Sequence, residues 1–285
     1  MTPRALLIDT ARSFKLAGIP DPLYDSAALL SYLTGQNPLK LRLDTETELD
    51  SITVDRYLSL ADRRLKREPL QYILGFVSFR GHDFSVSPSV LIPRPETALL
   101  AEWASEILSL QPDASVLDLC CGSGCIGLSL KSEIPSLSVT LADISPEALS
   151  VAGKNASDLA LTVSFLESDL FDCIPLNSYN LIVSNPPYIP DGECESLQQE
   201  VMAEPSIALR GGPDGLDFYR RIACEAHRYL AGNGCVLLEL GAGQSDDVRS
   251  LFLDNGFKRI AIRKDFSGID RFLKAEIDKK DELHV

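Results

Sequence analysis

Asn185-Pro186-Pro187-Tyr188 is the stretch whose residue types most narrowly restrict the chemistry this chain can do. A planar NH2 group needs an acceptor for each of its hydrogens, and the Asn185 side-chain oxygen and the Pro186 carbonyl can supply both. Pro186 and Pro187 hold that backbone rigid, and Tyr188 offers a face to a planar substrate. Each such hydrogen bond contributes only ~0.5–1.5 kcal/mol net. Correct orientation of the nitrogen toward an electrophile can supply ~7–11 kcal/mol of the barrier. An amide nitrogen is a weak nucleophile because its lone pair is delocalised. Acceptors at its hydrogens push density back and pass the proton on as the new bond forms. No His or Lys adjoins the element, and this chemistry requires none. The plainer alternative is a rigid turn that ends a strand, since Pro-Pro cannot continue a β ladder.

A second constellation is Asp118-Leu119-Cys120-Cys121-Gly122-Ser123-Gly124-Cys125-Ile126-Gly127. Gly122 and Gly124 allow a tight turn and close approach of backbone to a ligand, and Gly127 lets a helix pack closely on a sheet. Asp143 follows about 20 residues on, where a carboxylate can take both hydroxyls of a ribose. This GxGxxG pattern alone suits a dinucleotide as well as S-adenosylmethionine, because both contain adenosine. Asp118 favours the latter: a carboxylate beside the loop opposes a pyrophosphate but suits a cationic methionine moiety. Ser168-Asp169-Leu170 can meet the adenine, with Asp169 for the exocyclic amine and Leu170 as an apolar wall; an N-cap is the alternative role.

These residues must be held by regular elements. Residues 115–119, 137–143, 162–168, 179–184, 235–240 and 257–263 read as short apolar strands, with a last candidate near Ile269–Ile277. Helical stretches at 125–133, 146–160, 195–203, 215–231 and 244–255 separate them. That alternation predicts an α/β fold with a mostly parallel sheet covered on both faces. Residues 1–74 instead show helical spacing, with Gly18, Gly35 and Pro69 as stops, and predict a bundle of four or five short helices. Residues 75–92 alternate and predict a β-hairpin linker; a domain carrying the two constellations then runs from 93 to 285. The cluster Arg63, Arg64, Lys66 and Arg67 reads as a solvated helix face in preference to a docking patch.

Length and composition agree with an ordinary globular protein. The chain has 285 residues, 45% of them hydrophobic, and a formal net charge of −14. Residues 1–75 hold ten basic and ten acidic side chains, so the whole −14 lies beyond them. Such acidity disfavours general wrapping of nucleic acid. The seven cysteines are an odd number and no signal peptide begins the chain, which predicts reduced thiols in a cytoplasmic protein. No apolar run is long enough to cross a bilayer. Cys120, Cys121 and Cys125 have no nearby His, and no metal is expected there. Lys280-Asp281-Glu282-Leu283 spells a retention tetrapeptide but is followed by His284-Val285, so it reads as chance.

With these residues in view, the sequence resembles the PrmC/HemK family, the peptide chain release factor glutamine N5-methyltransferases. The resemblance rests on PLQYILG (69–75), VLIPRPET (90–97), LDLCCGSG (117–124), SDLF (168–171), IVSNPPYIP (182–190), GGPDGLDFYR (211–220) and LELGAGQ (238–244). It implies a helical N-terminal bundle for substrate recognition, a hairpin linker and a seven-stranded Rossmann-like methyltransferase domain. It further implies methylation of the Gly-Gly-Gln glutamine of class I release factors, in support of translation termination. Carried over by position, Cys120, Cys121, Gly122, Ser123, Gly124, Asp143, Asp169, Leu170 and Asn185 would contact S-adenosylmethionine. Asn185, Pro186, Pro187 and Tyr188 would hold the glutamine, with Asn185, Pro186 and Tyr188 at the chemistry. Two departures stand out. Cys120-Cys121 replaces the family's usual Gly-Thr, and Leu170 stands where an aromatic is common.

Three other readings compete. An amino methyltransferase of nucleic acid, at adenine N6 or guanine N2, shares the NPPY element, but the −14 charge and the lack of an RNA-binding appendage count against it. A methyltransferase-like scaffold is disfavoured by the intact Asn185–Tyr188 element and glycine loop. An oxidoreductase is disfavoured by the same tetrapeptide.

Overall fold

The computed structural model describes residues 1–111, 113–176 and 178–277; the tetrapeptide at 280–283 lies outside them. Its contacts divide the chain into two compact units, one of residues 1–76 with 198–203, the other of the remainder.

The first unit is helical, as the spacing predicts. It contains α1 (Pro3–Leu16), α2 (Pro22–Thr34), α3 (Pro38–Leu43), α4 (Ser51–Leu65) and α5 (Leu70–Leu74). Local signals set the ends. The Asp50 side chain accepts the Thr53 N–H at 2.8 Å to start α4, and Gly35 ends α2 in the left-handed region. Leu7, Phe14, Leu29, Leu30, Leu41 and Tyr57 form the core. The basic cluster is not the solvated face expected. Arg64 is only 4% exposed, and donates to Asp25 at 2.7 Å and to Glu200 at 2.8 Å. Arg67 also reaches Glu200, and Arg63 pairs with Glu68. Only Lys66, paired with Asp62, is well exposed. The acidic partners lie 39 and 136 residues away from Arg64, too far for helical spacing to reveal.

The expected hairpin is β1 (Phe76–Phe79) with β2 (His82–Ser85). Arg80 and Gly81, both at positive φ, form its two-residue turn. It is shorter than 75–92: Pro88, Pro93 and Pro95 offer no N–H to a ladder, and residues 86–96 run without a strand.

In the second unit the helices are α6 (Thr97–Leu108), α7 (Cys125–Glu133), α8 (Pro146–Asp158), α10 (Asp217–Glu225) and α11 (Ser245–Asp254). The short α9 (Gln199–Met202) belongs to the first unit. The strands are β3 (Ser115–Leu119), β4 (Ser138–Asp143), β5 (Ser164–Glu167), β6 (Tyr179–Ser184), β7 (Leu230–Glu239), β8 (Arg259–Lys264) and β9 (Asp270–Glu276). They form one seven-stranded sheet in the order β5-β4-β3-β6-β7-β9-β8. All pairs from β5 across to β7 are parallel, while β9 runs antiparallel to β7 and β8. Apolar residues on neighbouring positions serve opposite faces. Val116, Leu141, Val183 and Leu237 enter one core; Leu117, Ile182, Val236 and Leu238 enter the other. Burial on both faces is why the strands read as continuous apolar runs. Strand order reverses between β3 and β6, so their carboxyl ends flank the crevice where ligands of such sheets sit.

Candidate active site

Both chemical constellations end at that crevice. The β3–α7 loop supplies Cys120 and Gly122, the end of β4 supplies Asp143, and the end of β6 supplies Asn185 and Pro187. Together with Asp169, Leu170 and Phe218 they line one open cleft.

The glycine loop has a division of labour. A Cβ on Gly127 would lie 2.5 Å from Leu141 Cδ2, so its absence lets α7 pack on β4. Gly124, at φ +77, is hemmed by Leu128, Leu141 and Ala152. Gly122, at φ +53, faces open space, which leaves its backbone free to approach a ligand. Cys120 holds φ +55 without being glycine. Burial and the nearby Asp143 carboxylate push its thiol well above the usual range, and burial pushes Cys125 up to about 12. Both thiols are therefore held in the protonated form at neutral pH. Among the described residues no His, Cys, Asp and Glu side chains gather in threes to hold a metal.

Asp143 holds the loop as well as facing the cleft. Its Oδ2 accepts the Gly122 N–H at 2.9 Å and its Oδ1 accepts the Ser145 N–H at 3.0 Å. Burial raises its carboxyl above the ordinary range, against the pull of those bonds. A carboxylate has about four acceptor positions, so two remain for ribose hydroxyls. Asp169 receives Arg221 at 2.8 Å, a partner that strand reading alone does not reveal. Leu170 is buried at φ +50, its carbonyl accepting from the Ser168 hydroxyl.

Asp118 does not face the cleft, contrary to the expectation that it meets a cationic ligand there. It is fully buried beneath the loop, where its Oδ2 accepts the Gly127 N–H at 2.8 Å. Its Oδ1 has no hydrogen-bond partner among the described residues. Burial pushes its carboxyl up to about 7. The alternation of β3 decides this. Asp118 points to the sheet face that α7 covers, and Leu119 takes the face toward the cleft.

The segments flanking Asn185–Tyr188 explain why several distant motifs are present together. Gly211 and Gly215 pass so close to Tyr188 that a Cβ would lie 2.8 Å from its Cα and 2.4 Å from its carbonyl oxygen, respectively. Gln244 donates to that same carbonyl at 2.9 Å. The Tyr188 hydroxyl lies 3.5 Å from Glu239 Oε1, and burial pushes it up to about 12. Pro186 and Pro187 are buried. The residues 211–220 and 238–244 thus cradle the tetrapeptide.

Residues 97–216 match the family described as "Methyltransferase small domain", and residues 5–75 the "PrmC N-terminal domain". The release factor glutamine methyltransferase of Geobacter sulfurreducens is 41% identical over 91% of each chain. The chain belongs to the release factor glutamine methyltransferase family. The Clostridium acetobutylicum member is 37% identical over 88% of this chain and 90% of its own. A methyltransferase structure from Pyrococcus furiosus, 15% identical, matches with a TM-score of 0.51 over 70% of this chain and 91% of its own, a likeness of fold.

Of the residues that the family resemblance carries over, Cys120, Gly122, Asp143, Asp169, Leu170, Asn185 and Pro187 line the cleft. Cys121, Ser123, Gly124, Pro186 and Tyr188 adjoin these residues in sequence and are not among the side chains that line it. Sequence reading passed over Thr97 and Glu239. Glu239 is 1% exposed and accepts the Thr97 hydroxyl at 2.7 Å. Glu239 had a signal, an ionisable residue inside the apolar run 235–240, and Thr97 had none. No helix among the described residues is long and apolar enough to cross a membrane.

Proposed function

We infer that this enzyme transfers a methyl group from S-adenosylmethionine to the side-chain amide nitrogen of a glutamine in release factors. The observation that carries the reading is the common cleft: Gly122 and Asp143 on one wall, Asn185 and Pro187 on another. The cofactor fits these residues. Gly122 offers open backbone, Asp143 has acceptor positions to spare, and Leu119, Ile144 and Leu170 give apolar walls for a base.

S-adenosylmethionine, when bound, supplies an electrophilic methyl on a sulfonium. The residues of the chain do the rest by positioning. The Asn185 Oδ1 and the Pro186 carbonyl accept the two N–H groups of the glutamine amide, which aims its nitrogen into the cleft. With the methyl carried over and the sulfur left neutral, the nitrogen would become cationic, and its surplus proton, first held against these acceptors, would pass to solvent water at the cleft mouth. Acceptors already fixed in position make that stabilisation larger than it would be in solvent. Tyr188, braced by Gln244 and close glycines, keeps the rigid turn in place. We place the substrate among class I release factors, at the glutamine of Gly-Gly-Gln, and assign residues 1–74 to its recognition, 75–92 to the linker and 93–285 to catalysis. The acidic surface beyond residue 75 suits a protein acceptor better than a polyanion.

Mass spectrometry of the Gly-Gly-Gln peptide decides the matter, after a release factor is incubated with enzyme and S-adenosylmethionine. One added methyl on the glutamine is the expected result. An unmodified peptide, with methyl instead entering adenine or guanine of added RNA, overturns it.

A further inference from the structure

The Asn185 amide has two ends of similar shape, and only its oxygen can accept an N–H. Something must decide which end faces the acceptor. The Asn185 Nδ2 donates to Thr97 Oγ1 at 3.3 Å. Thr97 Oγ1 in turn donates to Glu239 Oε2 at 2.7 Å. Thr97 and Glu239 are 2% and 1% exposed, so water offers neither an alternative partner. An ionised carboxylate can only accept. It therefore takes the Thr97 hydrogen and leaves Thr97 Oγ1 an acceptor, which only the NH2 end of Asn185 can satisfy.

We propose that Thr97 and Glu239 are positioning residues that fix the polarity of the Asn185 amide and so turn its oxygen to the methyl acceptor. The pair lies 88 and 54 positions from Asn185 in sequence, on α6 and at the end of β7. Neither lines the cleft. Glu239 is itself held from several sides: the Tyr188 hydroxyl lies 3.5 Å from Oε1, and Tyr219 donates to its backbone carbonyl at 2.9 Å. Arg271 from β9, with Arg94 and Glu96 from the segment before α6, contributes to the surrounding field.

The state of Glu239 then matters. Burial pushes its carboxyl up to about 7, opposed by the Thr97 hydrogen bond and Arg271. Once protonated it can donate to Thr97 Oγ1. The Thr97 hydrogen is then free to point at Asn185, and both orientations of the amide become satisfied. The oxygen would face the acceptor in only part of the population.

This inference rests on the glutamine-methyltransferase reading, and the test separates the two. Full-length enzyme is assayed with a release factor and S-adenosylmethionine as wild type, Thr97→Val, Thr97→Ser and Glu239→Gln. Cofactor affinity is measured by calorimetry on each. Thr97→Val should lower kcat at least about tenfold, with KM and cofactor Kd within about threefold, because an orienting bond and not a contact is lost. Thr97→Ser, which keeps the hydroxyl, should recover most of that loss. Wild-type kcat should fall on acidification through about pH 7, and Glu239→Gln should flatten that limb. A Thr97→Val enzyme with wild-type kcat, or a Thr97→Ser enzyme as slow as Thr97→Val, overturns the proposal. An acid limb that persists in Glu239→Gln removes Glu239 from it. Wild-type enzyme that leaves the glutamine unmethylated overturns the underlying reading instead.

Discussion

The Asp143 carboxylate grips the Gly122 N–H at 2.9 Å, so the acid and the open glycine that both line the cleft form one unit. Removing the carboxylate therefore costs the ligand two acceptors and frees the loop. Asp143→Ala should raise the Kd for S-adenosylmethionine at least tenfold, roughly the loss of one to two hydrogen bonds to a charged group. Calorimetric titration measures this directly, and an unaltered Kd would sink the assignment.

Asn185 lines the cleft just beyond the end of β6. Asn185→Ala should leave cofactor Kd within about threefold while lowering methyl transfer by roughly 10²–10³, the range seen when a transition-state hydrogen-bond partner is deleted. Tritiated methyl uptake under saturating cofactor checks it. Turnover at the wild-type rate would end the orienting role.

Cys120 sits at φ +55, a backbone conformation that favours glycine. Cys120→Gly should fold normally. Cys120→Val places a β-branched side chain at positive φ and should destabilise the protein by about 1–3 kcal/mol. Chemical denaturation compares the two, and equal midpoints would show that the strain is relieved elsewhere.

Buried Asp118 gives a pH dependence of stability whose sign can be worked out. Its carboxyl is raised from 3.8 to about 7 in the fold, so the folded state holds a proton that the unfolded chain releases. Its contribution is fully present below pH 3.8 and is lost as pH rises through about 7. Between pH 5 and 7, stability should fall more steeply with pH in wild type than in Asp118→Asn. Matching slopes in urea melts across that range would refute it.

Arg64 bridges Asp25 and Glu200 inside the helical unit. Arg64→Met leaves Asp25 buried without its cation and should destabilise that unit by ~3–5 kcal/mol. A loss below 1 kcal/mol by circular dichroism melts would return Arg64 to the surface. Because of this burial, replacing the whole basic cluster with Glu would unfold the unit before it tested docking. Lys66 is the well-exposed position to probe first, followed by half-buried Arg63.

Much of this molecule is written in local pattern. The strand–helix alternation, the glycine loop and the Pro-Pro turn each depend on residues within a few positions of one another. Periodicity and backbone restriction therefore made them readable, along with the helical first unit. The carboxyl-end placement of Asn185 and Asp143 follows from parallel strands, whose ends gather the loops at one edge.

Orientation and long-range partnership were decided by the fold. Asp118 looked like a ligand contact because it adjoins the loop, but strand alternation turns it under α7. Arg64 looked like surface because its helix face is charged, yet its partners come from positions 25 and 200. Thr97 carries no local signature, and the acid Glu239 inside an apolar run does not by itself name its partner. Which end of an amide or carboxylate meets which neighbour depends on groups brought together from distant strands and shielded from water. Sequence alone determined the residue types able to position an amide nitrogen beside an adenosine-bearing cofactor. Only tertiary packing, by burying Glu239 against Thr97, determined which way Asn185 faces.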